Sequence, residues 1–252
     1  MSKPFGIGPL RFLRPGSSLL IDAPNSKAGG SLIGGEGLRV AIAIGVLLTF
    51  SAQSIGLCAV CDIACCRCTP IVIDVNGRGF QLTSAANGVV FDISGTGHPR
   101  QISWTAPGST NAFLALPGSD GLIHGGKELF GNFTPQPEST TPNGFKALAV
   151  YDLPDNGGNG DGVIDTHDAI FPALRLWVDA NHDGIAQPEE LHTLPELGVY
   201  SISLDYWLSQ RRDQYGNLFL YRSEVSLNDY DDDSEVRHLA CDVALISIDK
   251  RH

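Results

Sequence analysis

The chain has 252 residues and carries 28 Asp plus Glu against 17 Lys plus Arg, a formal net charge of −11. Its length allows a sizeable hydrophobic core, and its acidic balance excludes the basic face that phosphate neutralisation requires, so a cation is the expected partner and nucleic acid is not. Charged residues make up only 18%, while 29 Gly and 15 Pro describe a turn-rich fold rather than a helical bundle.

In chain order, the first feature is the apolar run Val40 to Phe50 (VAIAIGVLLTF), preceded by Arg39. It is too short for a membrane helix, which needs about 20 apolar residues, and suits the h-region of a signal peptide. The segment ahead of it is long for an n-region, although Lys3, Arg11, Arg14, Lys27 and Arg39 outnumber Asp22 and Glu36. Residues 1–57 are therefore read as an N-terminal extension with a signal peptide. A signal anchor continuing through Leu57 is the alternative, and it would be the only membrane contact. Export, to the medium or the cell surface, is the expectation.

Residues 58–69 hold a cysteine cluster: Cys58, Cys61, Cys65, Cys66 and Cys68, with Cys241 as the sixth cysteine. In an oxidising compartment an even count predicts disulfides. Zinc binding or redox cycling by the cluster is the competing reading.

Residues 70–252 form the expected main domain. Between Pro70 and Leu116 the runs IVIDV, GFQLTS, GVVFDIS, RQISWTA and NAFLAL, separated by Gly and Asn, predict a meander of short strands. From Pro117 to Pro195 the texture changes to Asp-Gly loops with short helices between them. From Val199 onward, VYSISLDYW, LFLYRSEVSL and HLACDVALISI predict three more strands, including a C-terminal hairpin. The fold class expected is α+β: a short-stranded meander, EF-hand-like loops with short helices, then the hairpin. The Pro- and Thr-rich stretch Thr134 to Asn143 reads as an exposed loop, and the acidic run Asp229 to Glu235 as a solvated one.

The most specific pattern is DANHDGIAQPEE, residues 179–190. Calcium takes about 6–8 oxygens, and a twelve-residue loop supplies them from alternate positions around a sharp Gly turn. Here Asp179, Asn181 and Asp183 would be side-chain ligands before Gly184. Ile185 would offer its carbonyl, Gln187 would act through water, and Glu190 would bind with both oxygens. Pro188 would open a helix running to Leu194. A turn rich in Asp and Asn with no ion is the competing explanation.

A second, rearranged loop takes Gly162 as its turn. Its expected ligands are Asp155 at the entry, then Asn159, Asp161, Val163 (carbonyl), Asp165 and Asp168, with Asp152 as an alternative to Asp155. A short helix over Thr166 to Pro172 and a strand over Leu174 to Val178 would join the two loops, and the loops are expected to act as a pair. A third candidate around Asp120-Gly121 lacks the early ligands. Fainter echoes begin at Asp74 and Asp92.

The succession IVIDVNGRGFQLTS, FDISGTGHPRQISW, LALPGSDGLIHGGKELFGN, NGFKALAVYD, NGDGVID and LRLWVDANHDGIAQPEELHTLPELGV resembles bacterial exported proteins with EF-hand-type calcium loops. It is similar to segments at the ends of hemolysin-type calcium-binding proteins, and it spans roughly Pro70 to Tyr206. The resemblance implies calcium binding and export and brings no catalytic residues. The expected function is thus calcium binding by a structural or interaction module that is not an enzyme. A metal-supported hydrolase and a cysteine-cluster metal or redox protein are the alternatives. No Gly-x-Ser-x-Gly or His-Glu-x-x-His occurs, and the seven His are scattered.

Overall fold

The computed structural model describes residues 68–227 and 238–248. Segments of alternating or continuous apolar residues become strands: β1 (Ile71–Asp74), β2 (Val89–Phe91), β3 (Arg100–Ile102), β4 (Asn111–Ala115), β5 (Val163–Ile164), β6 (Arg175–Trp177), β7 (Leu191–His192), β8 (Ser201–Ser203), β9 (Trp207–Arg212), β10 (Leu218–Ser226), β11 (His238–Ala244) and β12 (Ser247–Ile248). One α-helix, α1 (Gly144–Ala149), is capped by the Asn143 side chain, which accepts from the Lys146 N–H.

Nine strands form one sheet in the order β5-β8-β10-β11-β1-β4-β6-β7, with β9 also on β10, and every pair is antiparallel. The sheet is buried on both faces at its centre, which explains why β1 and β4 read as unbroken apolar runs. Period-two alternation sends Val72, Phe113, Ala115, Trp177, Cys241 and Val243 to one face, where they pack with Phe91, Ile102 and Trp104 of a small sheet ordered β12-β3-β2 and its flanks. The other face receives Ile71, Ile73, Ala112, Leu114, Leu176 and Ala240, covered by Phe145, Ala147 and Leu148 of α1 and by loop residues such as Phe171 and Leu194.

Among the described residues the fold is therefore mostly antiparallel β with one short helix, and the helical half of the α+β expectation is corrected there. The helix predicted from Pro188 to Leu194 is a single 3-10 turn, Pro188–Glu190, that passes directly into β7. The one predicted over Thr166 to Pro172 is a series of turns ending in a 3-10 turn at Phe171–Ala173. The first difference has a clear cause: Glu190 is drawn under the loop as a hydrogen-bond acceptor, and the chain must then extend to pair with β6.

The N-terminal meander is also not local. β1 lies between β4 and β11, whereas β2 and β3 leave for the small sheet with β12. GFQLTS contributes only a bridge, Leu82 with Thr105. The C-terminal hairpin is present as β10 and β11, but it sits inside the large sheet, where β11 pairs with β1 through Val72 and Cys241.

Cys68 is disulfide-bonded, and Cys241 is a free, buried thiol. The expectation that all six cysteines pair is corrected at Cys241: burial in the core pushes its thiol pKa up to about 12, which leaves it an unreactive apolar filler. Residues 1–67 and the acidic run Asp229 to Glu235, with the expectations placed on them, lie outside the described residues.

Candidate functional site

The loop from Asp179 to Glu190 leaves β6 at one end of the strand order and returns as β7. Its residues divide by burial. Asp179 and Glu190 are 3% and 5% exposed, whereas Asn181, Asp183 and Ile185 face solvent and Gln187 is half-buried. The two buried carboxylates accept hydrogen bonds from the loop's own backbone. Asp179 takes the N–H of Asp183 at 3.1 Å and of Gly184 at 2.9 Å, and Glu190 takes the N–H of Ala180 at 2.9 Å and, more loosely, of Asn181 and Gln187.

Each buried carboxylate also receives an indole. Trp104 Nε1 donates to Asp179 Oδ2 at 2.8 Å, and Trp177 Nε1 donates to Glu190 Oε2 at 3.2 Å. The two tryptophans belong to one aromatic cluster with Phe91 and Phe113, with ring centroids 4.3–5.8 Å apart. A buried indole needs an acceptor for its N–H, and the loop supplies one to each ring. The outer side chains satisfy one another instead: Asp183 Oδ2 accepts from Asn181 Nδ2 and Gln187 Nε2, and Asp183 Oδ1 accepts from the Ile185 N–H.

Gly184 makes this closure possible. Its φ is +72°, and a Cβ there would stand 2.8 Å from Val89 Cγ2 on the small sheet. We expect Gly184→Ala to lower stability by about 2 kcal/mol, combining left-handed strain with the clash. Gly162→Ala, at φ +84° in open space, should cost only about 1 kcal/mol. Thermal unfolding of the two variants distinguishes them, and equal losses would show that the contact with Val89 contributes nothing.

The upstream loop is closed in the same way, but not by Asp155. That residue is exposed, and Asp152 closes the loop in its place. The Asp152 Oδ1 accepts from the Gly160 N–H and its Oδ2 from the Gly162 N–H, both at 3.0 Å. Gly157 and Gly158 fold back over it; a Cβ on Gly158 would fall 2.2 Å from the Asp152 carbonyl carbon. Asp168, buried, accepts from the Asp165 N–H, and Asp165 caps His167. Asn159 and Asp161 remain exposed and bond to each other, and Val163 enters β5.

The same device occurs twice more. Asp74 accepts from the Gly79 N–H, and Asp92 from the Gly97 N–H and the Ser94 hydroxyl. Burial opposes ionisation of Asp92, yet the N–H donors of Gly97 and Thr96 hold its carboxyl below the ordinary value. Four loops thus close on an aspartate that accepts from the N–H of a Gly at positive φ. The Asp120 loop differs: there His124 Nε2 sits 2.7 Å from the exposed Asp120 carboxylate, and that hydrogen bond lowers the Asp120 pKa.

The two main loops do not form a pair. Val163–Ile164 pairs with β8 at one end of the strand order, while the 179–190 loop joins β6 to β7 at the other. Ile185, expected to offer its carbonyl, has a side chain that is 64% exposed.

The SPM domain model of known families matches residues 71–241, which take in β1 to β10 and most of the core. The chain belongs to the SPM domain family. The chain is also 37% identical over 140 residues to the iron-regulated protein FrpA of Neisseria meningitidis serogroup C. That match takes up 54% of this chain and 12% of the relative, so the chain spans about one eighth of the length of the relative it matches.

These findings overturn the calcium-binding, EF-hand and hemolysin-type reading. The family is that of the SPM domain, the relative is named for iron regulation, and among the described residues no three His, Cys, Asp or Glu side chains are grouped to hold a metal ion. The SPM loops show what these carboxylates do: Asp179 and Glu190 are buried and accept from loop N–H donors, while Asp183 is exposed and accepts from the Ile185 N–H.

Trp104 was not legible as a site residue, since it joins Asp179 from 75 positions away. Asp152 carried a signal, namely the Gly pair that lengthens its loop.

Proposed function

We propose that the SPM chain is an exported structural and interaction module, not an enzyme, in which buried carboxylates gather loop backbone so that the β framework can present its outer strands. The observation that carries the reading is the commitment of Asp179 and Glu190 to loop N–H groups and to the indoles of the core. A charge-assisted hydrogen bond of this kind contributes about 1.5–3 kcal/mol, so these groups act on the fold. Similarity to a short stretch of a much longer relative supports a module rather than a self-contained catalyst.

Export is supported by the apolar run Val40 to Phe50 and by the disulfide at Cys68, a bond that persists in oxidising compartments. Among the described residues no helix is long and apolar enough to cross a membrane. The test is thiol mapping of the full chain in cell fractions from iron-replete and iron-depleted cultures. The expected result is chain outside the cytoplasm, with Cys68 alkylated only after reduction, Cys241 only after denaturation, and an amount that changes with iron supply. Cytoplasmic chain with a free Cys68 thiol would overturn the reading.

A further inference from the structure

Among the described residues β9 pairs with β10 and nothing else, which leaves its outer edge open. It is also the most exposed strand: every residue of WLSQRR except Ser209 faces solvent, with Leu208 59% exposed. Natural edge strands avoid pairing with other chains through charge, proline or bulges. β9 has no proline; it carries a bulge and two positive charges, which disfavour a neutral or basic strand but not an acidic one.

That sign runs against the rest of the molecule. Arg211 and Arg212 lie on β9 and Arg222 opposite Trp207 on β10, in a chain of net charge −11. Among the described residues, what these arginines touch is neutral. The Arg211 guanidinium lies 5.6 Å from the Phe219 ring centroid, Arg222 lies 5.2 Å from that of Trp207, and Arg212 donates to the Gly216 carbonyl at 2.8 Å. The guanidinium groups are held in place with their charge still available, which lowers the entropic cost of recruiting them.

A bulge supplies the third element. Between the pairs Leu208 with Tyr221 and Arg211 with Phe219, Ser209 and Gln210 stand against the single residue Leu220. A cleft of about 310 Å³ opens there, lined by Leu208, Ser209, Gln210, Arg212, Leu218 and Leu220. It joins apolar leucine surface to one guanidinium. Strand addition draws affinity from main-chain hydrogen bonds and specificity from alternate side-chain pockets.

We propose that β9 is a docking edge for an acidic, extended polypeptide of another protein, which adds as a strand beside β9 with the carboxylates of one face on Arg211 and an apolar side chain of its other face in the cleft beside Arg212. The proposal rests on the reading of the chain as an interaction module. Thiol mapping tests export separately, so an exported chain that ignores the peptide fails here alone.

The test is fluorescence anisotropy of a labelled short peptide alternating Asp or Glu with Val and Leu, titrated with the full chain. Two control peptides are a Lys-for-acid version and an acidic version with Pro at alternate positions, which removes main-chain donors. The expected result is saturable binding of the acidic peptide, weakened at least about tenfold by either control and by raised salt. The double variant Arg211→Glu with Arg212→Glu should lose binding by a similar factor while keeping the wild-type melting curve; should it fail to fold, the peptide series on the wild-type chain still decides. No binding at about 1 mM peptide, or equal binding of acidic and lysine peptides, would overturn the proposal. So would a dimer in sedimentation that the double variant abolishes, because that result assigns the edge to a second copy.

Discussion

Replacing Asp179 with Ala is expected to destabilise the SPM domain by about 3 kcal/mol or more, because the substitution strands a buried indole N–H and two backbone N–H groups at once. Those donors are Trp104 Nε1, Asp183 N and Gly184 N, and Trp104 is fully buried, so water cannot replace the lost acceptor there. Asp183→Ala is the control. Asp183 is exposed and its partners are surface groups, so its loss should stay within about 1 kcal/mol. Asp179→Asn, which keeps one acceptor oxygen, should fall between the two. Urea unfolding followed by tryptophan fluorescence measures all three, and the Asp179→Ala spectrum should also shift as Trp104 loses its partner. Equal losses for Asp179→Ala and Asp183→Ala would show that the buried carboxylate does not hold the loop.

The second large effect concerns Asp242 on β11. It is fully buried; burial pushes its carboxyl up to about 6, opposed by hydrogen bonds from the Thr69 hydroxyl and the Gly144 N–H at the start of α1. Its Oδ1 has no hydrogen-bond partner. The sign follows from linkage: above the folded value both states are ionised and the folded state bears the cost of a buried charge. As pH falls through about 6 the folded carboxyl takes up a proton first, so stability from this group rises, and the gain is complete below the unfolded value near 3.8.

The upward shift from 3.8 to about 6 corresponds to about 3 kcal/mol. Asp242→Asn removes the titration. The stability difference, variant minus wild type, should therefore fall by about 2 kcal/mol between roughly pH 7.5 and pH 4, most of the full change. The gain at neutral pH should be smaller than that, because an amide at Oδ1 would bring hydrogens with no acceptor. Taking the difference cancels other carboxylates, such as Asp92, whose lowered value works in the opposite direction at acid pH. A difference that does not vary with pH would mean that Asp242 stays ionised in the fold, with a partner that neutralises it.

Much of the strand content was legible because β segments carry their signature locally. IVID, VVF, NAFLA and RLW alternate or run apolar over three to five residues, and each became a strand. Gly184 and Gly162 were legible as turns for the same reason, since a positive φ is a property of one residue. The helix after Pro188 was misread because Pro and two Glu favour a helical start, whereas the Glu190 side chain and the pairing of Leu191 with Trp177 stop it after one turn. The pairing of loops was misread because strand order depends on contacts far apart in sequence.

The sequence by itself determined that the chain is turn-rich and β-rich, that Asp and Gly recur at spacings able to close tight loops, and where the 179–190 loop begins and ends. Only the tertiary structure decided what the carboxylates do. Whether Asp179 and Glu190 face outward to an ion or inward to a donor depends on Trp104 and Trp177 reaching the same aromatic cluster from separate strands and loops. A buried indole N–H without an acceptor is costly, so once the two rings are packed, the loop carboxylates are bound to them. Spacing along the chain records the loop, while the direction its charges face is set by what the sheet packs beneath it.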